Sequence, residues 1–280
     1  MVQLSSRPIA PRPFLKWAGG KRQLVPELIK YIPADYYRYY EPFVGGGALL
    51  WSLQPPQAII SDRNQELINC YQVVKESVED LIEALRQHRN EKSYFYEVRS
   101  WDRQVEFVTK TNVQRAARII FLNKTCYNGL FRVNLKGQFN APFGRYKNPT
   151  IADEQGLRSV SRYLNQGSVR ILQADFAVTV ADAGLEDFVY FDPPYDPVSS
   201  TASFTAYDSH GFNRDEQRRL KQVMDELTER GCKVMLSNAC TEFIQDLYSD
   251  YLCVRVKAKR AINSNAAKRG QVDELLVMNY

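Results

Sequence analysis

Apolar positions along this chain fall into two patterns. Short, mostly apolar runs occur at Arg38–Val44 (RYYEPFV), Ala58–Ser61 (AIIS), Val169–Gln173 (VRILQ), Asp187–Phe191 (DFVYF) and Lys233–Leu236 (KVML). Runs this short and this apolar predict short buried strands. Between them the spacing becomes helical. Leu67, Ile68, Tyr71, Val74, Val78, Leu81 and Leu85 predict one helix or two over Asn64–Arg89, and Ala48–Leu53, Val113–Asn123 and Glu216–Glu229 predict three more. Leu252–Val256 and Glu274–Met278 predict a closing β-hairpin across a basic loop. Three prolines, at 8, 11 and 13, deny the N-terminal stretch regular structure. Strands alternating with helices specify an open α/β sheet, Rossmann-like in class. Ligands of such sheets bind beyond the carboxyl ends of the strands, where Gly45, Asp62, Asp175 and Asp192 are expected to gather.

Residues 90 to 165 depart from that rhythm. They are basic, aromatic and rich in Asn, with one helical stretch followed by the irregular KTCYNGLFRVNLKGQFNAPFGRYKNP. The expected division is a catalytic domain of residues 1–75 and 166–280 interrupted by a mainly helical module at 76–165; 280 residues accommodate one domain with a large insertion. The chain's net charge is only +5, but its distribution is uneven. Arg86 to Lys147 holds 13 basic against 4 acidic residues, and Arg255 to Arg269 holds six basic residues and no acid. Such segregation suits a polyanionic partner better than a small neutral substrate. A composition of 44% hydrophobic and 25% charged residues excludes disorder and collagen. Five cysteines without a C-x-x-C pair, beside two histidines, argue against a metal centre and for a reducing, cytoplasmic compartment. No apolar run is long enough for a membrane span.

Two motifs carry chemistry. Gly45-Gly46-Gly47, directly after a strand, lets backbone approach a ligand closely, and Asp62 is spaced to accept from ribose hydroxyls. The turn is neither G-x-G-x-x-G nor a P-loop, so a nucleoside ligand without phosphates fits better than a dinucleotide; a tight strand-to-helix turn is the plainer alternative. The sharper motif is Asp192-Pro193-Pro194-Tyr195. An exocyclic amine conjugated to a base ring is a poor nucleophile. A carboxylate and a rigid backbone carbonyl, both accepting from its NH2 group, favour a tetrahedral nitrogen with a directed lone pair. Asp192 and the Pro193 carbonyl fit as acceptors, Pro194 as the element that fixes them, and Tyr195 as a stacking face. The proton leaves after attack, so no histidine base is needed.

FLKWAGGK from Phe14, EPFVGGG from Glu41, YNGLFRVN from Tyr127, FNAPFGRYKNP from Phe139, YFDPPYDPVSSTASFTAY from Tyr190 and VDELL from Val272 occur in one order along the chain. In these blocks, from about Pro13 to Tyr280, the chain closely resembles the Dam-type (alpha class, D12) DNA adenine-N6 methyltransferases. The resemblance implies S-adenosylmethionine as methyl donor, with S-adenosylhomocysteine as product, no metal, and double-stranded DNA as substrate. It implies that Trp17 and Lys21 help enclose the methionine part of the cofactor, with Lys21 near its carboxylate and the Gly45 turn beneath it, and that Glu41, Phe43 and Asp192 also contact the cofactor. Asp62 would hold the ribose, and Asp175 with Phe176 would flank the adenine.

For DNA, the resemblance implies that Tyr127 enters the step vacated by an extruded base, supported by Asn128. Leu130 would meet a thymine methyl and Arg132 a guanine edge. Lys16, Pro142 and Tyr146 would complete recognition of 5′-GATC-3′. Asn134, Arg145, Lys147 and several of Arg115, Arg118 and Lys124 would meet the backbone. A monomer is expected, acting at the nucleoid, with a cognate restriction enzyme as one conceivable partner. The same chemistry on another target sequence, on cytosine N4 or on adenine in RNA, and a catalytically retired sequence-specific DNA-binding protein, are the competing readings. Cys126 and Phe131 depart from the family pattern, and Phe131 is readable as a purely structural side chain.

Overall fold

The computed structural model describes residues 9–197, 212–259 and 271–280. Its strands are β1 (Tyr39–Glu41), β2 (Gln57–Asp62), β3 (Ser168–Gln173), β4 (Phe188–Phe191), β5 (Lys233–Ala239), β6 (Leu252–Lys259) and β7 (Gln271–Met278). Its α-helices are α1 (Val25–Leu28), α2 (Ala48–Leu53), α3 (Gln65–Glu76), α4 (Val78–Arg86), α5 (Lys92–Ser100), α6 (Asn112–Thr125), α7 (Glu154–Gln166), α8 (Phe176–Thr179), α9 (Arg214–Glu229) and α10 (Glu242–Leu247). The strands form one sheet in the order β3-β2-β1-β4-β5-β7-β6, with β1 to β5 parallel and β7 antiparallel between β5 and β6. All the expected strands are present, and the C-terminal pair forms the expected hairpin; its basic loop, 260–270, lies outside the described residues. So do residues 198–207 of the block that begins at Tyr190.

Burial explains why the strand sequences are continuous apolar runs. Tyr39, Ile60, Phe188, Tyr190, Met235 and Leu276 point into a core on one face, whereas Tyr40, Ile59, Val189, Phe191, Leu236 and Val277 point into a second core on the other. β1, β2, β4, β5 and β7 therefore feed both layers, whereas the described side chains of the edge strand β6 join only the first, through Val254 and Val256; each fully buried large side chain contributes roughly 1.5–3 kcal/mol. The first face is covered by α2, α3 and the inserted helices, the second by α8, α9 and α10. Arg38 and Asp187 pin the entrances of β1 and β4 together. Asp187 accepts from Arg38 Nε (3.1 Å), Arg38 Nη2 (2.7 Å), Arg38 N (3.1 Å) and Gly184 N (2.9 Å), and its side chain is only 2% exposed.

The inserted helices α4 to α7 pack on α3 and on one another, and their side chains join the core of the first sheet face. α6 starts on a capping box: Thr111 accepts from Gln114 N, and the Gln114 side chain accepts from Thr111 N. Arg118, on α6, is 1% exposed, is paired with Asp102 at 2.7 Å, and donates to Val98 O (2.9 Å) and Arg99 O (2.8 Å). The expectation that Arg118 meets a phosphate is therefore corrected: its charge builds the module from inside. Arg115 is paired with Glu66. Asp102 also accepts from Phe139 N (2.8 Å), and Arg103 donates to Phe139 O (2.8 Å), which ties the irregular segment onto these helices.

Candidate active site and DNA-recognition face

The order of connection reverses between β1 and β4: from β1 the chain moves outward to β2 and β3, then returns to place β4 on the other side of β1. This is the switch point where an open α/β sheet has a crevice at its carboxyl edge. β1 delivers Glu41, Phe43 and the glycine turn to that edge, and β4 delivers Asp192 to Tyr195.

The glycine turn is shaped by close approach. Gly45 and Gly47 have φ of +47° and +66°. A Cβ on Gly45 would lie 2.9 Å from Trp17 Cδ1, and one on Gly47 would lie 2.8 Å from both Trp51 Nε1 and the Tyr71 hydroxyl. Only glycine meets both demands. Its carbonyls are held by Tyr71 OH on Gly45 O (3.0 Å) and Trp51 Nε1 on Gly46 O (2.8 Å). Asp62, at the end of β2, accepts from Gly45 N (3.3 Å) and Asn64 N (2.9 Å), so the acid expected at the ribose is oriented toward the turn.

Lys21 is 7% exposed; its ammonium lies 2.7 Å from Asp192 Oδ1, donates to Gly19 O at 2.8 Å, and sits 4.5 Å from the centroid of the Tyr195 ring. The residue for which the resemblance implies a place by the cofactor's carboxylate is thus paired with Asp192. The Asp192 side chain keeps 18% exposure, yet Oδ1 itself is shielded, and its ion pair with Lys21 is not aligned as a hydrogen bond. Burial raises the Asp192 pKa to about 6, against the opposing pull of Lys21. The carboxylate is mostly ionised at neutral pH. Glu41, 3% exposed, accepts from the Tyr39 hydroxyl (2.9 Å); burial is the largest cause and the charge of Asp192 a further one in raising its pKa to about 8.

Phe43 stacks on Phe176 at 5.4 Å, and Phe212 closes edge-on against Phe43 and tilted against Phe176. Phe176 is 1% exposed, with the Arg219 guanidinium 4.0 Å over its ring, so it backs the pocket wall. Asp175 caps α8 through Ala177 N (3.0 Å) and receives both Arg219 terminal nitrogens at 2.9 and 2.7 Å; Arg219 is the main cause of its lowered pKa. Sequence reasoning missed Arg219, which lies 44 residues from its partner. It also missed the struts behind the proline motif. Pro194 O accepts from Gln217 Nε2 (2.9 Å), whose Oε1 accepts from Asn238 Nδ2 (3.0 Å), and Asn238 Oδ1 accepts from Asp196 N (3.1 Å). Buried Asp196 is further held by Arg214 and Thr241. None of these has a local sequence signal.

Most of the residues expected to meet DNA lie on one irregular segment after α6, with Lys16 and Lys124 outside it. Tyr127 is 58% exposed on a 3-10 turn, with its N–H on Pro142 O (2.8 Å). Asn128 and Gly129 take positive φ, and a Cβ on Gly129 would meet the Lys16 side chain at 2.4 Å. Lys16 also stands 5.7 Å over the Tyr146 ring. Leu130 is half-buried and Arg132 exposed. The Arg132 guanidinium is held by Asn140, through Nε to Oδ1 (2.7 Å) and Nη2 to the carbonyl (3.1 Å). Asn134 spends its side chain on the turn, accepting from Lys136 N (2.9 Å) and Gln138 N (3.0 Å). Pro142 and Arg145 are exposed, with φ +54° at Arg145. Lys124 is set apart from this face, half-buried beside the Arg12–Asp153 pair, and burial lowers its pKa. Phe131 is buried and stacks on Trp17 at 4.5 Å. The side chain that touches the glycine turn therefore also touches the segment carrying Leu130 and Arg132.

The family of D12 class N6 adenine-specific DNA methyltransferases matches residues 17–262. This chain belongs to that family. Similar proteins include the Type II methyltransferase M1.LlaDCHI of Lactococcus lactis subsp. cremoris, 44% identical over 282 residues and covering 100% of this chain and 99% of the relative. The Type II methyltransferase M.MjaIII of Methanocaldococcus jannaschii is 45% identical, covering 96% and 99%. The DNA adenine methylase of Escherichia coli K12 is 35% identical, covering 95% of both chains. The chain is an adenine-specific DNA methyltransferase of this D12 family, with S-adenosylmethionine as its methyl donor and DNA as its substrate. Among the described residues there is no cluster of metal-ligating side chains and no helix long and apolar enough to cross a membrane.

Proposed function

We propose that this enzyme methylates N6 of the adenine in duplex 5′-GATC-3′ after turning that base out of the helix. The observation that carries the reading is the shielded Asp192 carboxylate, mostly ionised and poorly aligned with Lys21, at the switch point beside the glycine turn. S-adenosylmethionine supplies an electrophilic methyl group. The pocket fits it: glycine backbone without side chains, Asp62 beside that turn and Glu41 below it offer room and acceptors for a nucleoside with an amino-acid tail.

Asp192 and the Pro193 carbonyl accept from the adenine NH2 group and steer its lone pair outward. Tyr195 stacks on the base through the ring face opposite Lys21, whose ammonium lies 4.5 Å from the ring centroid. The N6 proton passes to solvent once the new N–C bond has formed. Extrusion costs a few kcal/mol of stacking, which exposed Tyr127 offsets by filling the gap.

Arg132, exposed and oriented by Asn140, reads guanine O6 and N7; Leu130 meets the thymine methyl; Lys16, Pro142 and Tyr146 complete the site. In function the chain divides into 1–75 with 166–280 for catalysis and 76–165 for target recognition. It works as a monomer on cytoplasmic, nucleoid DNA. The Type II relatives support a paired restriction enzyme.

The test is labelled methyl transfer to two duplexes differing only as GATC and GTTC. Label confined to the GATC duplex and recovered as N6-methyladenine is the expected result. Label in both overturns the roles of Leu130 and Arg132; label on cytosine overturns the adenine assignment.

A further inference from the structure

β7 carries apolar residues into both cores, with Leu275 and Val277 on one face and Leu276 and Met278 on the other. Glu274 interrupts this pattern on the Leu276 face, only 8% exposed. A carboxylate in such a place is costly unless it is hydrogen-bonded, and sheet packing alone would be better served by a leucine. Its Oε2 accepts from the Tyr195 hydroxyl at 2.7 Å. The Tyr195 ring is thereby gripped twice: Glu274 fixes the hydroxyl end, and the Lys21 ammonium, itself paired with Asp192, fixes one face. The DPPY segment has no regular structure after β4, so side-chain contacts must set the ring plane.

We infer that Glu274 is a positioning residue for catalysis: by holding the Tyr195 hydroxyl it sets the aromatic plane on which the extruded adenine stacks, and so the placement of its amine against Asp192. Glu274 touches neither base nor cofactor and acts only through Tyr195. The inference rests on the proposed stacking role of Tyr195. It explains why a charged side chain from the far antiparallel strand reaches the active site of a parallel sheet.

The experiment is a double-mutant cycle with Glu274→Ala, Tyr195→Phe and the combination, plus Glu274→Gln, which keeps an acceptor oxygen. Single-turnover methylation and KM are measured on GATC duplexes, base extrusion is followed with 2-aminopurine at the target, and each variant's melting temperature is recorded. Glu274→Ala and Tyr195→Phe should each slow the methyl-transfer step by about tenfold, the worth of one hydrogen bond to a charged group. The combination should be no slower than either alone, since both remove the same bond. Glu274→Gln should recover most of the rate, and KM for DNA should hold.

Multiplicative losses in the double variant, or a lowered melting temperature with an unchanged rate, overturn the inference. If Glu274→Ala does not fold, Glu274→Gln and Tyr195→Phe decide it: an undiminished rate in Tyr195→Phe is fatal. A wild type that methylates no adenine duplex overturns the GATC-adenine reading and this inference together. An active wild type with multiplicative losses overturns the inference alone.

Discussion

Replacing Glu41 with Gln should stabilise the cofactor-free protein, increasingly so as pH rises. Glu41 is 3% exposed, and burial lifts its pKa from the ordinary 4.5 to about 8. In the unfolded chain the group ionises near 4.5, whereas in the folded protein it stays protonated until about 8. Between those values the unfolded state gains from releasing a proton that the folded state keeps. Stability from this group is complete below pH 4.5 and is lost as pH rises through 8. Each pH unit in that window is worth about 1.4 kcal/mol. The loss is therefore on the order of 3 kcal/mol at pH 7 and 5 kcal/mol above pH 9. Gln keeps a carbonyl for the Tyr39 hydroxyl but cannot ionise, so Glu41→Gln should escape this loss. Urea denaturation of the cofactor-free wild type and variant at pH 5, 7 and 9 measures the difference, in which the titrations of other groups largely cancel. The gap should open with pH. A constant or closing gap would refute the assignment of a buried, destabilising acid at the floor of the site.

Asp187→Ala should cost roughly 1–3 kcal/mol, because it leaves Gly184 N and Arg38 N without their acceptor and loosens the entrances of β1 and β4, while the Arg38 guanidinium keeps Asp182; chemical denaturation reads this directly. Methyl transfer in a single turnover should fall about tenfold per pH unit below about 6, as Asp192 takes up a proton and stops accepting from the adenine amine; a rate that is flat down to pH 5 would contradict that role. Tyr127→Ala should leave stability within about 0.5 kcal/mol, since the ring is 58% exposed, while abolishing the 2-aminopurine signal of base extrusion. Arg132→Ala should relax discrimination at one guanine by roughly 1–3 kcal/mol, seen as methylation of near-cognate duplexes.

The central strands were readable because they are buried on both sides and so carry mostly apolar runs; Tyr39 and Tyr40, one in each core, show why no alternation was visible there, whereas the edge strand β3 is partly exposed. The glycine turn and the proline motif were readable because backbone geometry restricts those positions to few residue types. Long-range polar pairs were not. Arg118 counted as one more basic residue in a basic stretch, yet its partner Asp102 holds it inside the fold. Asp175 gave no sign that Arg219 would occupy both its oxygens. Glu274 stood in VDELL as part of a family block, and only strand pairing brings it to Tyr195. Hydrophobic periodicity reports which face of an element is buried but says nothing about which polar groups meet there.

The core on the first sheet face runs without a break from Tyr39 and Tyr190 to Phe131 and Phe139 beneath the recognition segment. Sheet and insertion should therefore melt in one calorimetric transition. Target choice and catalysis then draw on the same reservoir of stability. A lineage drifting toward a new target sequence through substitutions around Phe131 would loosen the sheet that holds Asp192. Evolution of specificity in this chain is paced by how much destabilisation the catalytic half can absorb. Variation at exposed positions such as Arg132, a reader in the proposed assignment, is the cheaper route, because it leaves that shared interior intact.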